Sequence, residues 1–117
     1  MTAAWLSSDA FVLAFWGVAA LVISALLAVS ALAATKTVSV RDDVFSPKSV
    51  SVSKGSTVKW SWKGEDPHNV TVTSGPSKFR SATQTKGSFS RKLTKKGTYK
   101  IVCTLHTPGM RMTVKVR

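Results

Sequence analysis

Cys103-Thr-Leu-His106-Thr-Pro-Gly-Met110 brings a thiol, an imidazole and a thioether onto one short stretch near the C-terminus, and Cys103 is the only cysteine of the chain. The chain has two histidines, and the other is His68, in Asp66-Pro67-His68-Asn69-Val70. Two imidazoles, one thiolate and one weak axial thioether are the donor set of a mononuclear copper electron-transfer site. The thiolate binds Cu(I) well and couples strongly to Cu(II); imidazole suits both states, and the thioether tunes the potential. Metal binding displaces the Cys103 proton, so affinity is expected to fall at low pH. Met112 offers a second thioether two residues on, but Met110 follows Pro108-Gly109 and so stands at the loop closure. Asn69 and Thr104 each directly follow a candidate ligand, and their side chains can hydrogen-bond between the two segments and orient the donors.

Such donors work only if the scaffold holds one geometry in both oxidation states, and the rest of the chain reads as that scaffold. Thr37–Val40, Ser49–Ser53 and Ser56–Lys63 alternate polar and apolar residues, with Val58, Trp60 and Trp62 on one face. Asn69–Thr73, Ser88–Leu93, Thr98–Val102 and Met110–Val116 are further short strands, while Ser74–Gln84 reads as a loop. Lys54-Gly55, Gly64-Glu-Asp-Pro67 and Lys95-Lys-Gly97 are turn signals. About seven short strands without a helical period predict an antiparallel β-sandwich. His68 would open one strand, Cys103 end another, and His106 and Met110 lie on the loop to the last.

Composition divides the chain in two. Phe11–Ala34 carries no charge, and all 17 Lys and Arg lie from Lys36 onward with four of the five acids, which leaves that segment at +13. Residues 35–117 are enough for one small domain with a modest core. Residues 1–34 read as a signal peptide or an N-terminal membrane anchor forming a hydrophobic helix. Ala31-Leu-Ala33 supplies an A-x-A cleavage pattern, whereas the apolar run exceeds the about 15 residues of a signal core and reaches the length of a spanning helix. Lys36 and Arg41 after the run would, by the positive-inside rule, hold the domain in the cytoplasm. Export is nevertheless expected, to the periplasm or the cell surface, because a copper–thiolate carrier suits an extracytoplasmic compartment. A lone cysteine in an exported protein forms no internal disulfide, and ligation explains it together with its His and Met neighbours.

These segments resemble the cupredoxins, the small blue copper proteins of the plastocyanin, amicyanin and halocyanin kind. Gly97-Thr-Tyr-Lys-Ile-Val-Cys103-Thr-Leu-His106 is similar to the family's G-T-Y-x-x-x-C-x-x-H strand and loop, and Asp66–Val70 to its first-histidine segment. Phe45-Ser-Pro47, Val50-Ser-Val and Gly55–Trp60 are similar to its early strands. The resemblance implies a Greek-key sandwich over residues 35–117 and one copper ion cycling between Cu(I) and Cu(II). It makes His68, Cys103, His106 and Met110 the ligands and Tyr99 a structural tyrosine. It also implies electron exchange at a surface formed by His106, Leu105, Pro108 and Gly109. Three residues separate His106 from Met110, against four in plastocyanin-like and two in amicyanin-like members, and Val102 stands where plastocyanins have a tyrosine.

The expected function is therefore that of an exported type 1 copper protein carrying single electrons between redox partners. A copper-binding module for storage, delivery or sensing is the alternative. A copper oxidase or nitrite reductase would need several more histidines for a second centre, so an enzyme is not expected. The charge points to partner proteins with acidic docking surfaces, with membrane association through the N-terminal segment. Nucleic acid is not expected, since no aromatic–basic recognition motif accompanies the charge. The sequence pattern itself contains no acidic patch.

Overall fold

The structure, a computed structural model, describes residues 33–117. The expected leader helix thus lies outside the described residues, and among those described no helix is long and apolar enough to cross a membrane.

Period-two patterning builds the strands: β1 (Thr35–Arg41), β2 (Val44–Ser46), β3 (Ser49–Val52), β4 (Thr57–Trp62), β5 (Thr71–Ser74), β6 (Ser88–Lys92), β7 (Gly97–Val102) and β8 (Arg111–Val116). Two four-stranded sheets result, in the orders β2-β1-β4-β6 and β3-β8-β7-β5. Alternate residues of each sheet turn inward, which is how an apolar–polar repeat becomes a sandwich core. On the first sheet Val38 pairs with Trp60 and Val40 with Trp62; on the second Tyr99 pairs with Val114 and Ile101 with Met112, all of them buried. Trp60, Phe79 and Phe89 lie with ring centroids about 6 Å apart in tilted pairs, the geometry in which aromatic quadrupoles attract. Tyr99 is fully buried, and its hydroxyl donates to the Lys95 carbonyl at 2.8 Å, so a large polar-tipped ring enters the core with its one donor satisfied.

The sandwich differs from the antiparallel expectation. β1–β4 and β3–β8 are parallel pairs, and the other four pairings are antiparallel. Between β1 and β4 the chain crosses to the other sheet through β3 and returns in its original direction. Hydrophobic alternation reports which face of a strand is buried, not the direction of its neighbour. Two segments also differ. Val44–Ser46 is a short strand where only a resemblance was visible. The loop after β5 buries Phe79 in the core and forms two isolated bridges, His68 with Gln84 and Thr71 with Arg80.

Candidate metal centre

Parallel pairing brings the C-terminal ends of β1 and β4 to one end of the sandwich, where Val40 lies beside Trp62. The β1–β2 turn and the segment leading to His68 therefore meet there. β7 ends at Val102 beside Thr71 of β5 and beside Arg111 of β8, which delivers Cys103 and its following loop to the same end.

His68 lies three residues before β5 rather than opening it. Its amide donates to the Gln84 carbonyl and its carbonyl accepts from the Gln84 amide, each at 3.0 Å. The Trp62 indole N–H donates to the same carbonyl at 3.2 Å. The loop from Cys103 to Met110 closes on itself. His106 N donates to Cys103 O at 3.2 Å, Met110 N to His106 O at 3.0 Å, and Cys103 N to Met110 O at 3.0 Å. Backbone bonds thus fix every candidate donor before any metal is considered.

His68, Cys103 and His106 each turn a donor atom to a common point, all within 4.8 Å of one another. Cys103 Sγ is 3.8 Å from His68 Nδ1, and the two imidazole centroids are 4.9 Å apart. Cys103 and His68 are fully buried. Met110 is buried at the loop closure. Met112 lies on β8, where its Sδ accepts the Trp60 indole N–H at 3.3 Å inside the core. Asn69 and Thr104 are joined twice: Asn69 Nδ2 donates to Thr104 Oγ1 at 2.8 Å, and Thr104 N donates to Asn69 Oδ1 at 3.1 Å. Asn69 Nδ2 also donates to Thr83 Oγ1, and Thr71 Oγ1 donates to Asn69 Oδ1, so this buried amide uses its whole hydrogen-bonding capacity. The Asn69 amide N–H points to Cys103 Sγ at 3.5 Å.

Sequence reasoning missed Asp42 and Asp43. They occupy the β1–β2 turn, with Asp43 in the left-handed region at φ 64°. Asp42 Oδ1 is 3.1 Å from His68 Nε2, and Asp43 Oδ1 is 3.3 Å from His106 Nδ1. Asp42 also accepts the backbone N–H groups of Glu65 and Asp66. The Asp66 and Glu65 amides, and then the His68 ring, hold its carboxyl below the usual carboxylate range. No pattern marked these residues, although all four acids of an otherwise basic domain gather at this end. The signal within reach was two adjacent acids, Asp42-Asp43, in a segment rich in Lys and Arg.

The arrangement suits a soft, N/S-preferring ion. His106 Nε2 is buried and has no hydrogen-bond partner, an atom left without any proton donor or acceptor unless a ligand takes it. The thiol of Cys103 is equally enclosed. A profile of copper binding proteins of the plastocyanin/azurin family matches residues 33–117. The chain belongs to that family. Among solved structures, the cupredoxin is similar to a reduced amicyanin variant, at 29% identity and a TM-score of 0.63 over 71% of this chain and 82% of that one. An oxidized amicyanin variant matches at 28% identity and a TM-score of 0.64, over the same shares. A Cu-containing nitrite reductase from Thermus scotoductus SA-01 matches at 25% identity and a TM-score of 0.62, over 71% of this chain. The cupredoxin spans only 22% of that reductase, whereas it covers most of an amicyanin, so it stands with the non-enzymatic members. A comparison with curated proteins finds no match. The cofactor of this cupredoxin is one copper ion cycling between Cu(I) and Cu(II), and one cluster among the described residues can hold it.

Proposed function

We propose that this cupredoxin is an exported one-electron carrier, with His68, Cys103, His106 and Met110 as its copper ligands. The observation that carries the reading is the convergence of three donor atoms within 4.8 Å on a frame already tied by backbone hydrogen bonds. These residues would hold the copper, which would supply one-electron redox chemistry between a reduced donor and an oxidised acceptor. The residues do the rest. The hydrogen bonds of Gln84, Trp62 and Asn69 keep the donors from moving as charge changes, so little reorganisation opposes transfer. Met110 would supply the thioether that holds the copper, because the Met112 sulfur is engaged by Trp60.

His106 is the exit. Its side chain keeps 31% exposure, while His68 and Cys103 are sealed. Beside it Leu105 is 52% exposed, the only exposed large hydrophobic side chain among the described residues, and Pro108 and Gly109 are exposed too. A small apolar rim suits brief redox encounters, which bury little surface. Arg111 donates to the Pro108 carbonyl at 3.0 Å, which sets a cation at this rim along with the acid Asp43 beside His106, and it is the net charge of +13 that supports an acidic docking surface on the partner. The storage, delivery or sensing alternative needs an open, exchangeable site, and a fully buried Cys103 argues against it. Export, to the periplasm or cell surface, follows from the redox chemistry and from the leader; cleavage or anchoring of residues 1–34, with membrane association, belongs to the same proposal.

The test is the visible and electron-spin-resonance spectrum of the full chain with Cu(II). An intense blue band with narrow copper hyperfine splitting is expected, and Cys103→Ser should abolish the band while the sandwich stays folded by circular dichroism. A pale, ordinary cupric spectrum from the unmutated chain would overturn the ligand assignment.

A further inference from the structure

Asp42 sits on the far side of the His68 ring from the cysteine. Its Oδ1 is 3.1 Å from Nε2, while Nδ1 of the same ring faces Cys103 Sγ at 3.8 Å. The ring between them is fully buried. Nor is the carboxylate a loose surface acid. Glu65 N donates to both of its oxygens, at 3.0 and 3.1 Å, and Asp66 N donates to Oδ1 at 2.9 Å. The following segment packs so closely on it that a Cβ at Gly64 would collide with the Asp42 carboxylate and backbone nitrogen. The β1–β2 turn is thereby bolted to the segment that presents His68.

A neutral imidazole carries one proton, and an ionised carboxylate only accepts. With Asp42 on Nε2, the proton belongs there, and Nδ1 keeps its lone pair for a metal. The negative charge also makes the ring a stronger electron donor. Cu(II) carries one more positive charge than Cu(I) and gains more from a nearby anion. We propose that Asp42 is a positioning residue that sets the tautomer and orientation of His68 and lowers the reduction potential of the bound copper. This rests on His68 being a ligand, and the test separates the two.

The first measurement needs no metal. Nitrogen-15 NMR of the imidazoles in the metal-free full chain at neutral pH should find His68 protonated at Nε2, and Asp42→Ala should lose that preference. A His68 protonated at Nδ1 in the unmutated chain would overturn the proposal. The second measurement is the potential of the copper-loaded chain. Asp42→Asn keeps an acceptor oxygen but removes the charge, and it carries the test should Asp42→Ala not fold. It should weaken the preference for Cu(II) over Cu(I) about tenfold, a rise of about 59 mV for one electron. Asp66→Asn removes an equal charge from the adjoining turn and should change the preference by about threefold or less, because the carboxylate on His68 Nε2 is that of Asp42 and the exposed Asp66 acts only through screened solvent. An unchanged potential in Asp42→Asn, or an equal shift in both variants, would overturn the role of Asp42. A copper-loaded chain that is not blue would instead overturn the ligand assignment, and the metal-free tautomer would still decide the contact between Asp42 and His68.

Discussion

At the residue scale the candidate centre is a set of largely buried donor side chains, with His106 Nε2 left without a hydrogen-bond partner. Met110 should be a weak axial donor, so Met110→Leu should keep the blue band and raise the potential by removing a donor that favours Cu(II). Cyclic voltammetry checks this, and an unchanged potential would move the axial role to Met112. Asn69 makes four side-chain hydrogen bonds, two of which join the segments of His68 and Cys103 through Thr104. Its replacement by Ala leaves buried partners unpaired, at a cost of about 2 kcal/mol in unfolding free energy. Urea denaturation of the metal-free chain measures it, and the blue band of the copper form should shift because the neighbour of Cys103 has moved. The types and spacing of Cys103, His106, Met110 and His68 were legible in the sequence because metal chemistry restricts which side chains serve. Asp42 and Asp43 were not, because an acid in a turn is ordinary until the fold puts a histidine beside it.

At the scale of elements, the site depends on two turns and one loop meeting at a common end. The strands could be read from alternation: Val58, Trp60 and Trp62 were expected on one face and are all buried. Their neighbours could not, and the parallel pairing of β1 with β4 is what carries the Asp42 turn to the segment before His68. That approach is close enough to test. Gly64→Ala adds a methyl where the Asp42 carboxylate and backbone already stand. Overpacking of this kind costs about 2 kcal/mol, a fall in melting temperature of roughly 10 °C for a domain of this size. Thermal melting of the metal-free chain reads it, and an unchanged melting temperature would mean that the two turns are not packed as described.

At the scale of the whole domain, charge and shape govern encounter rather than fold. A segment at +13 should meet an acidic partner quickly at low salt and more slowly as salt screens the attraction. Stopped-flow reduction by an anionic small-molecule donor should therefore slow as ionic strength rises, whereas reduction by a neutral donor should not. Equal rates at all salt concentrations would leave the basic surface without a role in docking and ascribe it to solubility alone.

The covalent pattern was enough to reveal the candidate donors and the apolar faces of the strands, because each depends on residue type at short range along the chain. Strand direction, the burial of Phe79, the pairing of Asn69 with Thr104 and the carboxylates beside the two histidines depend on segments distant in sequence and adjacent in space. Periodicity along one strand contains no information about which segment lies next to it. Only the folded sandwich supplies those neighbours, and with them the groups that hydrogen-bond to the candidate ligands.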